Sequence, residues 1–234
     1  MKTSIENINT GGFTLAEVLI TLGIIGVIAA ITLPSIILEK QRKELEAGLQ
    51  KSYSSIQQAL QLYQADTGTP LLTSDVQHNG VNFKKILMKY MKYAKDCGYG
   101  YSDKNTACIP NNPDSKDTRI YKNFNGSNYI NMECFDDGQF VLNDGSLVIM
   151  NTIGACPVNI SVDVNGFNKG PNRLGQDLFI FLFNGNDGKL YPGGINNGIG
   201  WDNMPCNKTS TSWSNGGGCT VKALTDPDFF KDLP

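Results

Sequence analysis

The sequence has few of the residues on which catalysis and metal binding most often depend. It contains one histidine, His78, and two tryptophans among 234 residues. A single histidine excludes a His-rich metal centre and leaves any Ser-His-Asp or Cys-His apparatus dependent on that one side chain. The sequence also lacks a G-x-S-x-G elbow, a P-loop, an H-E-x-x-H helix and a dinucleotide fingerprint. We therefore expect a protein that is not an enzyme and that requires no cofactor.

An excess of charge of one sign is also missing. Lysine and arginine total 20 against 22 aspartates and glutamates, so the net charge is −2. No polycationic surface for nucleic acid follows from this balance, and we expect no nucleic-acid partner. One stretch is nevertheless rich in lysine, and its two interpretations are an anion or membrane-surface patch and a solvated helix face. These residues are Lys84, Lys85, Lys89, Lys92 and Lys95.

What the sequence does have is a long apolar run near its amino end. From Phe13 to Leu38 the only ionisable side chain is Glu17. As a helix this run would reach about 39 Å, more than the roughly 30 Å hydrocarbon core of a bilayer. A secretory signal has a shorter apolar core followed by small residues, whereas Ala29 and Ala30 lie inside this run. The pattern predicts a transmembrane helix over 13–38 after a polar segment over 1–12.

Glu17 is the exceptional residue of this run. A carboxylate inside a membrane is costly unless it is paired or protonated, which makes Glu17 a functional candidate. Cleavage after Gly12 would place a cationic α-amino group on Phe13, and in a bundle of identical helices Glu17 of one chain would pair with that amine on the next. The other interpretation is that Glu17 lies near the membrane interface and reaches water.

The residues Gly12-Phe13-Thr14-Leu15-Ala16-Glu17, followed by the apolar run and Pro34, resemble the class III leader of type IV pilins and type II secretion pseudopilins. The resemblance covers only the leader and the apolar run. It implies cleavage by a prepilin peptidase between Gly12 and Phe13, N-methylation of Phe13, a role for Glu17 in filament assembly, and a kink of the first helix at Pro34.

The resemblance also implies a function. It indicates a prepilin-type structural subunit that assembles into a type IV pilus or a type II secretion pseudopilus, with identical or homologous pilin subunits, the prepilin peptidase and an inner-membrane assembly platform as partners. The long, cysteine-rich carboxyl part favours a pseudopilin or minor pilin. The alternatives are a double-glycine bacteriocin leader, an ordinary signal peptide ending near Ala30, and a membrane-anchored extracellular binding or adhesion protein that never polymerises.

Beyond Pro34 the apolar residues recur at helical intervals, at Leu45, Leu49, Ile56, Leu60 and Tyr63. This spacing predicts an amphipathic half of the same helix over 39–67, ended by the breakers Gly68 and Pro70. The remaining residues, 68–234, form the predicted globular head. Within it, apolar residues at helical spacing predict a second helix over 81–95.

The rest of the head is rich in Asn and Gly, which favour turns and loops. Short β segments are predicted over 139–142, 146–150, 159–164 and 178–183, the first two joined by the hairpin signal Asn143-Asp144-Gly145. The run Gly216-Gly217-Gly218 is expected to be a flexible loop that leads into no helix. The predicted fold class is α+β, a pilin-like lollipop whose long amino-terminal helix packs on a small antiparallel β-sheet with long disulfide-bridged loops.

All six cysteines lie in the head, outside the predicted helices, and no C-x-x-C pair occurs. Zinc is therefore not expected, and three disulfides formed in an oxidising compartment fit better. Six cysteines allow 15 connectivities, of which sequential pairing closes the shortest loops. The expected pairs are Cys97–Cys108, Cys134–Cys156 and Cys206–Cys219.

The disulfides bear on membrane topology. Positive charges are sparser before the apolar run, at Lys2, than after it, at Lys40, Arg42 and Lys43, and this bias favours an outside amino end. Because three disulfides require an oxidising compartment, we expect the opposite topology. The chain would cross the inner membrane once, with its head outside the cytoplasm, and would then enter an extracytoplasmic filament.

Two further candidate sites lie in the head. Asp163, Asn165 and Asp177 surround a Gly/Asn-rich turn, and oxygen ligands on a tight loop are typical of calcium sites. Pseudopilins that resemble this chain can hold a calcium ion in the loop region of the head. However, Phe167 stands where an EF-hand would have a ligand, and a turn capped by Asx hydrogen bonds is the alternative. The aromatic residues Trp201, Trp213, Tyr99 and Tyr101 predict either a sugar- or surface-binding patch or ordinary core packing.

Overall fold

The computed structural model describes residues 12–99, 108–109, 120–153, 156–196, 198, 201 and 203–234. The chain divides into two units, 1–41 and 42–234. The longest element, helix α1, covers Leu15–Thr67 and belongs to both units. It includes both predicted halves of the first helix, and Pro34 lies within it.

In the first unit, the side chains of α1 are exposed almost throughout. A window of 18 residues in this helix has a mean hydropathy of 2.3, with none of it buried inside the protein. The helix is therefore long enough and apolar enough to cross a membrane. An apolar surface on all sides of a helix requires lipid or other helices around it.

In the second unit, α1 is amphipathic. Its buried residues start at Leu45 and include Leu49, Ile56 and Leu60, as the helical spacing predicts. Together with one face of a six-stranded antiparallel sheet, they form a hydrophobic core. The sheet contributes Phe140, Val148, Ile160 and Phe181 to this core. The shorter helices α2, Thr73–Val76, and α3, Gly80–Tyr90, contribute Val76, Phe83 and Leu87 to the same core.

The six strands follow one another in the sheet in the same order as in the chain. They are β1 Tyr93–Asp96, β2 Gly138–Leu142, β3 Leu147–Asn151, β4 Asn159–Asp163, β5 Leu178–Asn184 and β6 Lys189–Pro192. Strands β2 to β5 lie within one residue of the predicted segments. The hairpin between β2 and β3 places Gly145 at a φ of +90°, a conformation that glycine adopts without steric cost.

Both faces of the sheet are buried. Alternate residues, among them Ile149, Ile180 and Leu182, face a second core that is covered by loop residues such as Tyr121 and Phe135. Strand β3 is accordingly buried at every position. A sheet covered on both faces gives continuous apolar runs instead of an alternating pattern.

The second helix ends earlier than the sequence predicts. Helix α3 ends at Tyr90, and the residues from Tyr93 to Asp96 form β1, which pairs with β2. The prediction of helix up to Lys95 is wrong in this last part because the edge of β2 offers backbone hydrogen-bond partners that a local pattern does not reveal.

The triple glycine is also different from its prediction. Gly216, Gly217 and Gly218 are buried, and helix α4, Cys219–Thr225, follows directly. A Cβ atom on Gly216 would collide with the carbonyl of Leu174, and Cβ atoms on the other two would collide with Met204. The glycines therefore permit close backbone packing in front of a helix, and the expectation of a flexible loop with no helix after it is wrong.

Three disulfides close the loops of the head, and the structure contains no free cysteine. The bonded pairs are Cys97–Cys108, Cys134–Cys156 and Cys206–Cys219, which is the sequential pairing expected from the sequence. Cys219 is the first residue of α4, so this cysteine lies in a helix and not in a loop.

Candidate functional site

The predicted processing position lies immediately before α1. Phe13 is 89% exposed, and Gly12 and Thr14 are exposed as well. Residues 1–11, which belong to the predicted leader, lie outside the described part of the chain. The bond between Gly12 and Phe13 is therefore followed within two residues by the first helical residue, Leu15.

Glu17 caps the helix that it belongs to. The backbone N–H and the hydroxyl of Thr14 both donate to Glu17 Oε2 at 2.8 Å, and Glu17 N–H donates to Thr14 Oγ1 at 3.3 Å. This is a capping box, in which two otherwise unpaired N–H groups of the first turn are satisfied reciprocally. The sequence signal Thr14-Leu15-Ala16-Glu17 is the S/T-x-x-E pattern, which the interpretation of Glu17 as a membrane carboxylate leaves out.

The capping box gives Glu17 hydrogen bonds but no neutralising charge. Within the described residues, Glu17 forms no ion pair, and both of its partners belong to Thr14. A second partner with positive charge would therefore compete with, or add to, the contacts within the first turn.

Two buried aspartates form the most unusual electrostatic feature of the head. Asp163 ends β4 and Asp177 precedes β5, and both are fully buried. The Tyr121 hydroxyl donates to Asp163 Oδ2 at 2.6 Å, while the N–H groups of Asn165 and Gly166 donate to Asp163 Oδ1 at 3.3 and 2.9 Å. Every one of these donors is neutral.

Asp177 is held in the same way. The N–H of Asn172 donates to Asp177 Oδ2 at 2.6 Å, and the N–H of Arg173 donates to Asp177 Oδ1 at 2.7 Å. Among the described contacts, the guanidinium of Arg173 makes no hydrogen bond to either carboxylate, and its Nη1 donates to Pro234 O at 3.2 Å. No salt bridge to either aspartate is found among the described residues.

Burial without a cation raises the pKa of both carboxyl groups. The pKa of Asp163 is raised to about 7, first by burial and then by the negative charge of Asp177. Burial raises the pKa of Asp177 to about 6, against the lowering effect of its backbone hydrogen bonds. Burial and the charge of Asp163 also raise the pKa of Tyr121. At neutral pH this pair favours the uptake of a proton or of a cation.

The same turn contains two asparagine side chains whose buried amide oxygens accept no hydrogen bond in the described structure. Asn165 and Asn172 donate their Nδ2 atoms to the carbonyls of Gly170 and Phe167 at 2.7 and 2.8 Å. Their Oδ1 atoms are buried and have no hydrogen-bond partner in the described structure. The structure thus connects the predicted residues Asp163, Asn165 and Asp177 through one hydrogen-bonded turn and adds Asn172, which the sequence interpretation missed.

The chemistry of this turn is compatible with both interpretations given above. Its hydrogen bonds are those of an Asx-capped turn, while its two carboxylates and two free amide oxygens are ligands of the kind that calcium uses. Among the described residues, no group of three or more His, Cys, Asp or Glu side chains is placed to hold a metal ion. Calcium, if it binds, would thus depend on amide or backbone oxygens as well as the two aspartates.

Two of the four aromatic candidates, Trp201 and Trp213, lie against each other. Trp201 lies 6.5 Å from Phe135 and 6.3 Å from Trp213, measured between ring centres, and packs against the second core. Trp213 is 40% exposed. The Tyr99 ring lies under the Lys84 ammonium at 4.2 Å, and Tyr101 lies outside the described residues.

One of the five residues of the lysine-rich stretch is buried. Lys84 is 2% exposed, and its Nζ donates to Asp96 Oδ1 at 2.6 Å and to the Gly98 carbonyl at 3.1 Å. Lys89 donates to Asp66 and to the Tyr90 hydroxyl. Lys84 is therefore not part of a surface patch, whereas the other four lysines of the stretch are exposed.

No family model, curated protein or solved structure matches this chain.

Proposed function

We propose that the chain is a prepilin-type structural subunit, processed between Gly12 and Phe13 and assembled through α1 into a type IV pilus or a type II secretion pseudopilus. The observation that carries the proposal is the pattern from Gly12 to Glu17 at the start of a helix whose apolar side chains are exposed on all sides. Such a helix must be covered by lipid or by its neighbours.

The proposed mechanism is a transfer of α1 from lipid to a bundle of equal helices. Because lipid tails are as apolar as leucine side chains, this transfer gains little from hydrophobicity, and close packing and polar contacts decide its outcome. Gly23 and Gly26 support close approach, since nothing lies within 4 Å of a Cβ atom built on either of them. Ala29 and Ala30 extend the series of small side chains.

In this proposal Glu17 provides the polar contact. After cleavage, the α-amino group of Phe13 on a neighbouring subunit would supply the positive charge that Thr14 does not provide. Pairing in an apolar bundle would neutralise both charges and select one axial register. The partners would be identical or homologous subunits, a prepilin peptidase and an inner-membrane assembly platform.

For the head, we propose a calcium ion at the turn that holds Asp163, Asn165 and Asp177. The proposal is supported by two buried carboxylates that make no salt bridge to a described lysine or arginine, and by two buried amide oxygens that accept no hydrogen bond in the described structure. Millimolar calcium should raise the melting temperature of the full chain, and Asp163→Ala should abolish that rise. The absence of a shift in the unaltered protein would leave the Asx-capped turn as the explanation.

The proposed function is tested first by the mass of the mature chain. We expect the intact mass to show loss of residues 1–12 and the gain of one methyl group at Phe13. Loss of about thirty residues, as expected for a signal peptidase that cuts an ordinary signal peptide, would contradict the proposal.

Filament incorporation is the second test. A tagged copy should appear in sheared surface filaments, or in crosslinked ladders of the membrane fraction, together with untagged subunits. A processed chain that stays monomeric in the membrane would instead favour the membrane-anchored extracellular binding protein that never polymerises.

A further inference from the structure

A groove runs along the head between the second half of α1 and strand β6. Its volume is about 550 Å³, and it lies wholly within the unit 42–234. One wall consists of Gln57, Gln61 and Gln64, and the other includes Tyr191 and Asp187. The three glutamines occupy one flank of α1 and span seven residues, which corresponds to about 10 Å along the helix axis.

The glutamine wall has unused hydrogen-bonding capacity. Within the described residues, no partner is found for the amides of Gln57, Gln61 and Gln64, although each provides two donor hydrogens and one acceptor oxygen. Gln58 is different, since its Nε2 donates to Ser54 Oγ at 3.4 Å and it lines another groove. The groove by β6 is therefore lined by amides that are free to bind a ligand.

The opposite side adds aromatic surface and one carboxylate. The Tyr53 ring stacks on Phe181 through one face, with ring centres 5.4 Å apart, so that its other face or its edge borders the groove. The Tyr191 hydroxyl donates to Asp187 Oδ2 at 2.8 Å. Lys189 Nζ lies 4.0 Å from the same oxygen, which balances the charge locally and favours a neutral ligand.

A peptide strand is a poor fit for this groove. Gly193 N–H already donates to the Ile180 carbonyl of β5, and Pro192 has no N–H to offer. The Pro192 carbonyl accepts from the N–H of Ile195. Because strand addition requires a series of free donors and acceptors along the edge, the proline ends that series at β6.

We propose that this groove binds a neutral glycan, an extended chain of pyranose units. Sugar hydroxyls both donate and accept, as the amides of Gln57 and Gln61 do, while the apolar face of a pyranose matches tyrosine rings that have a polar tip. This inference goes beyond filament assembly and does not depend on it, since every residue that it uses lies in the unit 42–234 and outside the apolar half of α1.

The test measures glycan binding to the full chain in lauryldimethylamine oxide, because a maltoside detergent would itself present a sugar. Cellotetraose and chitotetraose are the probes, and isothermal titration together with saturation-transfer NMR is the readout. We expect at least one of the two to bind. Failure of both to bind at millimolar concentration overturns the proposal.

Matched variants locate the binding. Gln57→Ala combined with Gln61→Ala should weaken binding at least about ten-fold, since two hydrogen bonds are lost. Gln58→Ala, one residue away on the same helix but in the other groove, should leave the affinity unchanged. All variants change partly or fully exposed side chains, and an unaltered melting temperature verifies their folding.

Three further results would overturn the proposal. One is equal weakening by Gln58→Ala and by the double variant. Another is tighter binding of an extended Thr-Val hexapeptide than of either glycan. The third is a change in sedimentation of the full chain when Gln57 and Gln61 are replaced, which would make the groove a contact between copies of the chain.

Discussion

At the scale of single residues, Glu17 has two jobs that a simple alanine substitution cannot separate. It closes the capping box with Thr14, and in the proposed filament it also pairs with the Phe13 amine of a neighbour. A glutamine can replace a glutamate in a capping box but carries no charge. The two variants therefore separate the local role from the intermolecular one.

We predict that Glu17→Gln leaves α1 capped and processing intact but reduces filament incorporation as strongly as Glu17→Ala. Thr14→Val, which removes only the capping hydroxyl, should cost about 1 kcal/mol of helix stability and leave incorporation close to normal. Quantitative blotting of sheared filaments against the membrane pool is the measurement. Normal incorporation of Glu17→Gln would show that charge pairing is not required.

The buried pair Asp163 and Asp177 makes stability depend on pH. The pKa of Asp163 is raised from an ordinary value of 3.8 to about 7, so between these two values the folded state binds more protons than the unfolded state. The free energy of unfolding must then fall as the pH rises through this window. The buried pair is most stable while it still holds a proton.

We predict that, in the presence of a calcium chelator, raising the pH from about 4 to 7.5 lowers the contribution of Asp163 to the free energy of unfolding by about 2–4 kcal/mol. Asp163→Asn should flatten this slope, because the amide has no proton to lose. Thermal melts of the full chain at each pH provide the measurement. An unchanged slope in Asp163→Asn would contradict the assignment.

Asp136 provides the control for that experiment. Its pKa is also raised to about 7, by burial and by the charges of Asp137 and Glu133, so it contributes a slope of the same sign. Asp136→Asn should remove a separate part of the pH dependence. The two substitutions should therefore be additive if the sites are independent.

The candidate site could be predicted in part at this scale. The turn composition alone indicates Asp163, Asn165 and Asp177, because short oxygen-bearing side chains cluster around glycine. Asn172 could not be selected, since neither its buried amide oxygen nor its hydrogen bond to Asp177 follows from sequence distance. The Thr14–Glu17 capping box, by contrast, is predictable from the S/T-x-x-E pattern.

At the scale of elements, the triple glycine before α4 shows that tertiary packing can override a local prediction of a flexible loop. Gly216 has a φ of +113° and no room for a Cβ atom beside Leu174. Gly145 in the β2–β3 hairpin has a φ of +90° but nothing within 4 Å. A substitution at Gly145 therefore carries only the energetic cost of the backbone conformation. A substitution at Gly216 adds the cost of a steric clash.

We predict that Gly145→Ala destabilises the head by about 1–2 kcal/mol through its backbone conformation alone. Gly216→Ala should cost clearly more, on the order of 3 kcal/mol or above, since Leu174 or α4 must also shift. Urea unfolding followed by tryptophan fluorescence measures both. Equal losses would show that the glycine run is less tightly packed than the structure has it.

The elements that sequence reasoning recovers are those with strong local signals. Helix α1 has helical periodicity and a breaker cluster at its end, and the Asp144-Gly145 turn fixes the ends of β2 and β3. Strand β1 has no such signal, because the lysines around Tyr93 are equally compatible with a helix. Its conformation depends on backbone pairing with β2 and on the ion pair between Lys84 and Asp96. Both are contacts that the local sequence pattern does not reveal.

At the scale of the whole molecule, the two units differ in what covers their apolar residues. No buried residue of α1 precedes Leu45, and the two cores of the head draw all their members from the second unit. The head should therefore not need the first unit in order to fold.

We predict that residues 42–234, produced in an oxidising compartment, form a soluble domain with three disulfides. Its melting temperature should lie within about 4 °C of that of the full chain in detergent, since a difference of 1 kcal/mol shifts the melting temperature by about that much. Aggregation of this fragment, or free thiols in non-reducing peptide mapping, would contradict the prediction.

The order of the strands has a consequence for how the head is made. Each strand after β1 pairs with the strand that precedes it in the chain, and each disulfide closes a separation of only 11 to 22 residues. The polypeptide emerges from a ribosome or a translocon with its amino end first. Each strand after β1 would thus emerge when the preceding strand, with which it pairs, is already outside. Assembly from local contacts is fast and leaves few unpaired strands exposed to aggregation on the way.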